Sequence, residues 1–503
     1  MNVLISENTL VDIADAIREK NGTTKLYRPD EMSDAILEIK TSSGTGERAD
    51  DTKPIRFYGP YGDLLYSYTL EEFSVLEDLP PLPEYNGLIC QGWNWARERI
   101  LAVNGEVDVG SLFITDDGST RIYIELIEEA LNPKVGFEQS EAHGVAVDWG
   151  DGSELETSAS YGSTLVSMEH QYKEAGSYII RLIPQDDVSI NLRGDAYNTK
   201  LLHKVMGYSN ENKVYGSAIK KLELGKGISA LLTRCFNSTT LESVTIPDGI
   251  TIFATAFQGC SSLKAVTIPR TVTSLPSYAI RDCISLTKLI FSDSELSLSG
   301  TAFSGCNALK EVVVPGTVSL NASDLFSDCR MLQRAIIHDG ATIMGADMFY
   351  QCYALREVTL PQTLTELGGN AFMNCKRIEK MEIPDAVESI PSSFMYGCDS
   401  LRKLKLPQNL ISIGSNAFSG CYSLCEVTIP ENVTEIEGSA FSNNPGIERY
   451  YLLPTTPPTL ANTNAFSGIG SNCKMYVPKG CLESYQSAEK WSSFASYMIE
   501  MEE

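Results

Sequence analysis

The chain has 503 residues, and at roughly 100 to 200 residues per domain it holds three or four domains rather than one. Hydrophobic residues make up 43% and charged residues 21%, enough to bury sizeable cores, while 65 acidic residues against 40 Lys plus Arg give a net charge of −25. That charge argues against nucleic acid and against an anionic membrane surface as partners. No apolar run reaches membrane-spanning length, and the opening Met1 to Asn8 lacks a basic segment followed by an apolar one. Synthesis in the cytoplasm, without membrane insertion or an ordinary export signal, is the expectation.

Residues 1–40 carry Leu10, Ile13, Ala14 and Ile17 at helical spacing, a stop at Gly22, and Pro29-Asp30 opening a second helix through Met32, Ile36 and Ile39. Two short amphipathic helices cannot bury their stripes alone, so Leu10, Ile13, Ile17, Met32 and Ile36 are read as a docking hairpin. Residues 41–53 form a polar, patternless linker. A helical hairpin on such a tether resembles the N-termini of phage tail and baseplate proteins.

Residues 54–105 hold two β-rich runs around glycines and close on Gly92-Trp93, a pattern that resembles the small β-grasp repeats of Gram-positive surface proteins. Tyr58, Tyr61, Trp93 and Trp95 are suited either to stacking on sugars or to filling the core of so small a module. In the segment 106–198, V-A-V-D-W-G-D-G-S at 145–153 and H-Q-Y-K-E-A-G-S-Y-I-I-R-L at 170–182 give alternating strands about a glycine turn, as in a β-sandwich. Trp149 to Gly152 with His170, Tyr172, Gly176 and Tyr178 resemble the polycystic-kidney-disease-type (PKD) domain, a spacer or carbohydrate-contacting accessory. Asp148 and Asp151 read as turn residues or as calcium ligands. Arg193-Gly194-Asp195 spells an adhesion tripeptide that chance also produces.

From 199 to 470 the chain repeats. Cys260, Cys283, Cys306, Cys329, Cys352, Cys375, Cys398 and Cys421 recur every 23 residues inside A-F-x-x-C-x-x-L-x-x-V-x-I-P, as at Ala417, Phe418, Cys421, Leu424, Val427, Ile429 and Pro430. Leucine followed by apolar residues three and five further on makes a short strand, and a period of about 20 to 29 residues is that of a leucine-rich solenoid of about eleven coils. The cysteines read as small buried hydrophobes, with Ser238 and Asn444 taking their column at polar ends; no C-x-x-C pair suggests zinc. Proline ends the strands at 269, 315, 361, 384, 407 and 430. Residues 471–503, with Met475-Tyr476-Val477-Pro478, Tyr485, Trp491 and Phe494, make a cap. The motif resembles BspA-like leucine-rich repeats, whose members are typically adhesion or recognition proteins on bacterial surfaces and in phage tails. The fold expected is thus multidomain and mostly β: a helical hairpin, two small β modules and a solenoid.

Catalysis requires a nucleophile or a pair of titratable groups held together. The histidines, His143, His170, His203 and His338, are scattered, and no nucleophile elbow, zinc helix or phosphate loop occurs in a fitting context. No catalytic residue, cofactor or metal site is assigned. Two surfaces suit binding. Five residues past the cysteine column the strands read Lys288, Glu311, Arg334, Glu357, Lys380, Lys403, Glu426 and Arg449, a charge ladder; two residues on, Ile290, Val313 and Ile336 form an apolar patch on the same face. In the turns about the cysteines, Tyr350, Tyr353, Tyr396 and Tyr422 form an edge suited to sugar or protein contact.

These features together predict a phage tail or tail-tip protein. It attaches to tail or baseplate proteins through its N-terminus and binds a host cell-surface glycan or protein through its repeats, the virion tail being its location. Since fibres and tail tips are commonly trimeric, a homotrimer is the oligomer that resemblance implies. The alternatives are a BspA-like adhesin on the bacterial cell surface and a polysaccharide-degrading enzyme with accessory repeats.

Overall fold

The computed structural model describes residues 49–192, 218–232, 235–236, 239–250, 252–253 and 256–502. The expected docking hairpin with Leu10, Ile13, Ile17, Met32 and Ile36, most of the linker, Arg193-Gly194-Asp195, His203 and Ser238 lie outside them.

The first unit is a four-stranded sheet. It is built from β1 (Ile55–Tyr58), β2 (Leu64–Tyr68), β3 (Leu88–Trp93) and β4 (Val107–Thr115), in the order β2-β1-β4-β3, with α1 (Leu70–Ser74) and α2 (Arg97–Ala102) between strands. Thr69 caps α1, accepting from the Glu72 amide while the Glu72 carboxylate accepts from its own. The unit has its own core of Ile55, Phe57, Phe73, Trp93, Trp95, Ile100, Val107 and Val109. Its central strand β4 begins just past residue 105, where the sequence suggested a boundary.

The chain then enters a two-sheet sandwich of β5 (Thr120–Leu126), β6 (Lys134–Gln139), β7 (Val145–Asp148), β8 (Glu156–Thr157), β9 (Val166–Glu169), β10 (Gly176–Pro184) and β11 (Ile190–Leu192). Neither sheet ends there. One continues through β12 (Ile219–Glu223) to β14 (Ser243–Thr245), and the other through β13 (Ile228–Leu231) to β15 (Ile252–Phe253). Both sheets of the sandwich thus become the first strands of the solenoid, and one hydrophobic core runs unbroken from Ile122 to Met498. An exposed sheet edge invites pairing with another chain, and here the sandwich occupies the edges of the solenoid's first coil.

The solenoid has about 12 turns. Strands pair in parallel at 23-residue register, as Glu311 with Arg334 and Arg334 with Glu357, and a second row of two- or three-residue strands lines another face, as Ser412 with Glu435. Non-glycine residues five positions before the cysteine column stand in left-handed backbone at Tyr278, Thr301, Asp324, Asp347, Asn370, Ser393, Asn416 and Ser439. The residue just before each cysteine does so too, which is why that column is filled by Asp, Asn, Gln and Gly.

The cysteines are fully buried and free, and their surroundings show more than small size. Each thiol donates to a carbonyl of an earlier coil, 26 residues back for all but Cys260, whose acceptor Phe236 lies 24 back: Cys283 to Phe257 at 3.1 Å, Cys352 to Phe326 at 3.2 Å, Cys375 to Phe349 at 3.1 Å. Asn444, in the same column, is buried rather than a polar cap, and its amide makes the same bond to Phe418 at 2.8 Å. The column therefore requires a compact donor that satisfies an otherwise orphaned buried carbonyl. Burial pushes the Cys329 and Cys421 thiols up to about 12. Beside them Phe303, Phe326, Phe349 and Phe372 stack at 5.3 to 5.7 Å, until Phe394 shifts one column and its ring turns perpendicular. At the far end Trp491 and Tyr485 close the core, donating to Pro458 and Pro454 carbonyls.

Candidate binding surfaces

The strand face carries the charge ladder as read: Arg334 pairs with Glu311 at 3.3 Å and Glu357 at 3.2 Å, and Arg449 with Glu426 at 3.1 Å. Its first half, however, is not open to solvent. Ile290, Val313 and Ile336, expected to form an exposed patch, are 0%, 5% and 7% exposed, because the small sheet lies across these coils. Strand β4 packs on β14 and on the strands Ala265–Thr267 and Lys288–Ile290. The approach is close enough to demand glycine: a Cβ on Gly110 would stand 2.4 Å from Thr267 Cγ2, and one on Gly62 2.8 Å from Ala265 Cβ.

Ion pairs fix the docking. Arg56, buried in the contact, meets Asp108 at 2.8 Å, Glu106 at 3.2 Å and Glu311 of the solenoid at 2.6 Å. Lys288 meets Asp108 at 2.6 Å and lies over the Tyr58 ring at 4.1 Å, while Arg334 meets Glu106. Burial alone would pull the Arg56 guanidinium down, but Asp108 first and then Tyr58, Glu311 and Glu106 hold it above its usual range. Several polar atoms along the seam are likewise matched, although Ser292 Oγ and Thr245 Oγ1 are buried without a hydrogen-bond partner. The Asn94 amide donates to Ile268 and Phe291 carbonyls at 3.2 and 3.1 Å and its oxygen accepts from the Gly110 amide at 2.7 Å. Trp95 Nε1 donates to the Phe291 carbonyl at 2.8 Å.

Two of these contacts fall where the proline column is interrupted, at Ser292 and His338. Phe291 leads into Ser292, and His338 Nε2 lies 2.6 Å from the Glu106 carbonyl. Those breaks are the sequence signal that marks the covered coils. Trp93 and Trp95 are 5% and 4% exposed with their indole nitrogens on backbone carbonyls, so they serve core and seam rather than a sugar platform.

In the sandwich, Asp148 accepts from the Gly150 amide and pairs with Arg181, and Asp151 accepts from the Ser153 amide and meets His170 at 2.8 Å. Both aspartates act as turn and ion-pair residues. The Ser153 and His170 bonds hold the Asp151 carboxyl at about 2 against the modest opposing effect of burial. His170 stacks on Trp149 at 5.0 Å, and Tyr172 donates to the Trp149 carbonyl at 2.6 Å. The His143 ring meets the Thr157 hydroxyl at 2.8 Å.

The tyrosine edge falls on the turns that bear the cysteines. Tyr422 and Tyr396 are 56% and 39% exposed; Tyr350 and Tyr353 are half-buried, the first accepting from Gln351 and the second lying 5.9 Å from the Arg330 guanidinium. The same turns expose Tyr278, Ile284 and Met331, which the sequence reading passed over: Ile284 shares the column of Tyr353 and Tyr422 but is not a tyrosine, and Tyr278 and Met331 stand in other columns. Together they make an apolar and aromatic ridge along one edge, with Lys376 and Asp399 paired at 3.5 Å between the tyrosines.

Residues 229–355 and 342–472 match the BspA type leucine rich repeat region, in six copies, so the array is of BspA type. No curated protein matches the chain. Among solved structures, the chain is similar to a leucine-rich repeat protein from Bacteroides ovatus (20% identity, 64% of this chain and 97% of that one, TM-score 0.39). It is also similar to the pneumococcal vaccine antigen PcpA (16%, 62% and 86%, TM-score 0.40) and to a leucine rich cell surface protein from Faecalibacterium prausnitzii (21%, 63% and 96%, TM-score 0.32).

Proposed function

We propose that the chain is a non-enzymatic recognition protein of the cell-surface adhesin type. It holds a surface glycan or protein along the ridge formed by Ile284, Met331, Tyr353, Tyr396 and Tyr422. The observation that carries this reading is the ridge itself: large apolar and aromatic side chains, exposed or half-buried, recurring along the turns of an array whose interior columns are fully buried. Tyrosine offers a flat apolar face with a hydroxyl at modest entropic cost, the chemistry of adaptable recognition surfaces. BspA-type repeat proteins are typically cell-surface proteins, which favours the adhesin over the phage-tail reading. On the adhesin reading the sandwich caps the array, and residues 1–40 tether the chain.

Cell binding by the full chain and by a variant with Tyr350, Tyr353, Tyr396 and Tyr422 all changed to serine tests the proposal. Serine stands in one of these columns in other coils, as Ser304 and Ser327, so the fold should persist. Binding should fall by more than about tenfold, the equivalent of about 1.4 kcal/mol; unchanged binding would remove the ridge from consideration. Incorporation of the full chain into phage particles, lost on deleting residues 1–40, would favour the tail protein instead.

A further inference from the structure

Past Glu357 the strand face is open, and its charges do not balance. Glu357 is engaged by Arg334, Glu382 by Lys380 at 2.5 Å and Glu426 by Arg449. Lys403 and Lys474 are exposed and, among the described residues, have no carboxylate at ion-pair distance, while Lys405, also exposed, stands beside Glu382 in the register and helps Lys380 keep that carboxylate ionised. Lys403 moreover lies directly beside Lys380, a like-charge pairing that disfavours the sheet. In a chain of net charge −25, unpaired cations aligned on one face call for an external anion.

The covered half shows how this face takes one. There Lys288 and Arg334, in the same column, receive Asp108 and Glu106. The two halves differ in the adjacent column: Ile290, Val313 and Ile336 in the first, Thr359, Glu382, Lys405 and Thr428 in the second. Lysine and glutamate are depleted from the cores of protein interfaces, so the open half suits a hydrated polyanion rather than a folded partner. Lys403 and Lys474 are three strand spacings apart, about 14 Å, with the phenols of Tyr451 and Tyr476, stacked at 5.1 Å, alongside. Screening over about 8 Å at physiological salt lets a polyanion respond to these nearby cations rather than to the distant net charge.

We propose that the open half of the strand face binds an anionic polysaccharide, its carboxylate or phosphate groups held by Lys403, Lys405 and Lys474. This site is separate from the tyrosine ridge and does not depend on it. The test measures binding of the full chain to polygalacturonate, poly(glycerol phosphate), neutral dextran and poly-L-glutamate. Expected is binding to polygalacturonate or poly(glycerol phosphate), whichever anion the site prefers, weakening as salt is raised. The loss should be about tenfold or more in a Lys403→Gln, Lys405→Gln, Lys474→Gln variant. The corresponding arginine variant should bind as the parent does, and so should Tyr396→Ser with Tyr422→Ser. Failure to bind either anionic glycan, equal binding to dextran, or undiminished binding by the glutamine variant would overturn the proposal; preference for poly-L-glutamate would assign the face to an acidic protein.

Discussion

The two halves of the strand face share one backbone and one repeat yet meet different surroundings. In the first half Ile290, Val313 and Ile336 are buried and Lys288, Glu311 and Arg334 are engaged by a neighbouring sheet; in the second, Thr359, Glu382 and Lys405 face solvent. A repeat unit thus dictates the coil but not what covers it. Coverage follows the outward column of 290, 313 and 336, where apolar residues mark an intramolecular contact rather than a ligand site.

The difference can be broken most severely at Arg56. Arg56→Ala leaves Asp108 buried with Lys288 and the Tyr58 hydroxyl to answer it, and removing one partner of a buried ionic cluster costs about 3 to 5 kcal/mol. Hydrogen exchange should show β1, β4 and the strands at 288–290 and 311–314 losing protection, while the coils beyond 357 keep theirs. Next, Ile290→Ala should destabilise by about 2 to 4 kcal/mol in denaturant unfolding, as buried aliphatic truncations do. Its counterpart on the open half, Thr359→Ala, should stay within about 0.5 kcal/mol.

The smallest effect expected is a dependence on pH. Burial lowers the His338 imidazole below 6.5, an effect that outweighs the Glu106 carbonyl and the Asp339 and Glu106 charges that favour its protonation. Folding therefore favours the neutral ring. The contribution is fully present above pH 6.5 and is lost as pH falls below it toward the folded value, because the unfolded chain binds the proton more readily. Acidification from neutral should loosen the seam near Glu106. His338→Gln should remove that part of the pH dependence, as read by exchange at Gly105 to Val107.

Much of the solenoid was legible because its columns are local and repeated: leucine, cysteine and strand positions announce themselves eight or more times. The role of the thiol as a donor was hidden while Asn444 read as a polar end of the column, and only its buried bond made the shared requirement visible. Docking of the small sheet was not legible, since it joins Arg56 to Glu311 and Asn94 to Phe291 across separations of 255 and 197 residues that no periodicity links. The patch at 290, 313 and 336 was therefore found correctly as a cluster and assigned to the wrong neighbour, water instead of β4. Ser292 and His338, where proline gives way, were its trace in the sequence. The tyrosine edge was readable column by column, and Ile284 shares the column of Tyr353 and Tyr422, but Tyr278 and Met331 join it only through the turn geometry.

The central claim is that the small sheet covers the first half of the strand face and leaves the second open. Carbene footprinting of the intact chain, resolved to single residues, addresses it directly. Ile290, Val313 and Ile336 should be as protected as the core residues Leu289 and Val312, with Tyr451, Tyr476 and Ile499 labelled. Labelling of Val313 and Ile336 to the level of Tyr451 would contradict the account.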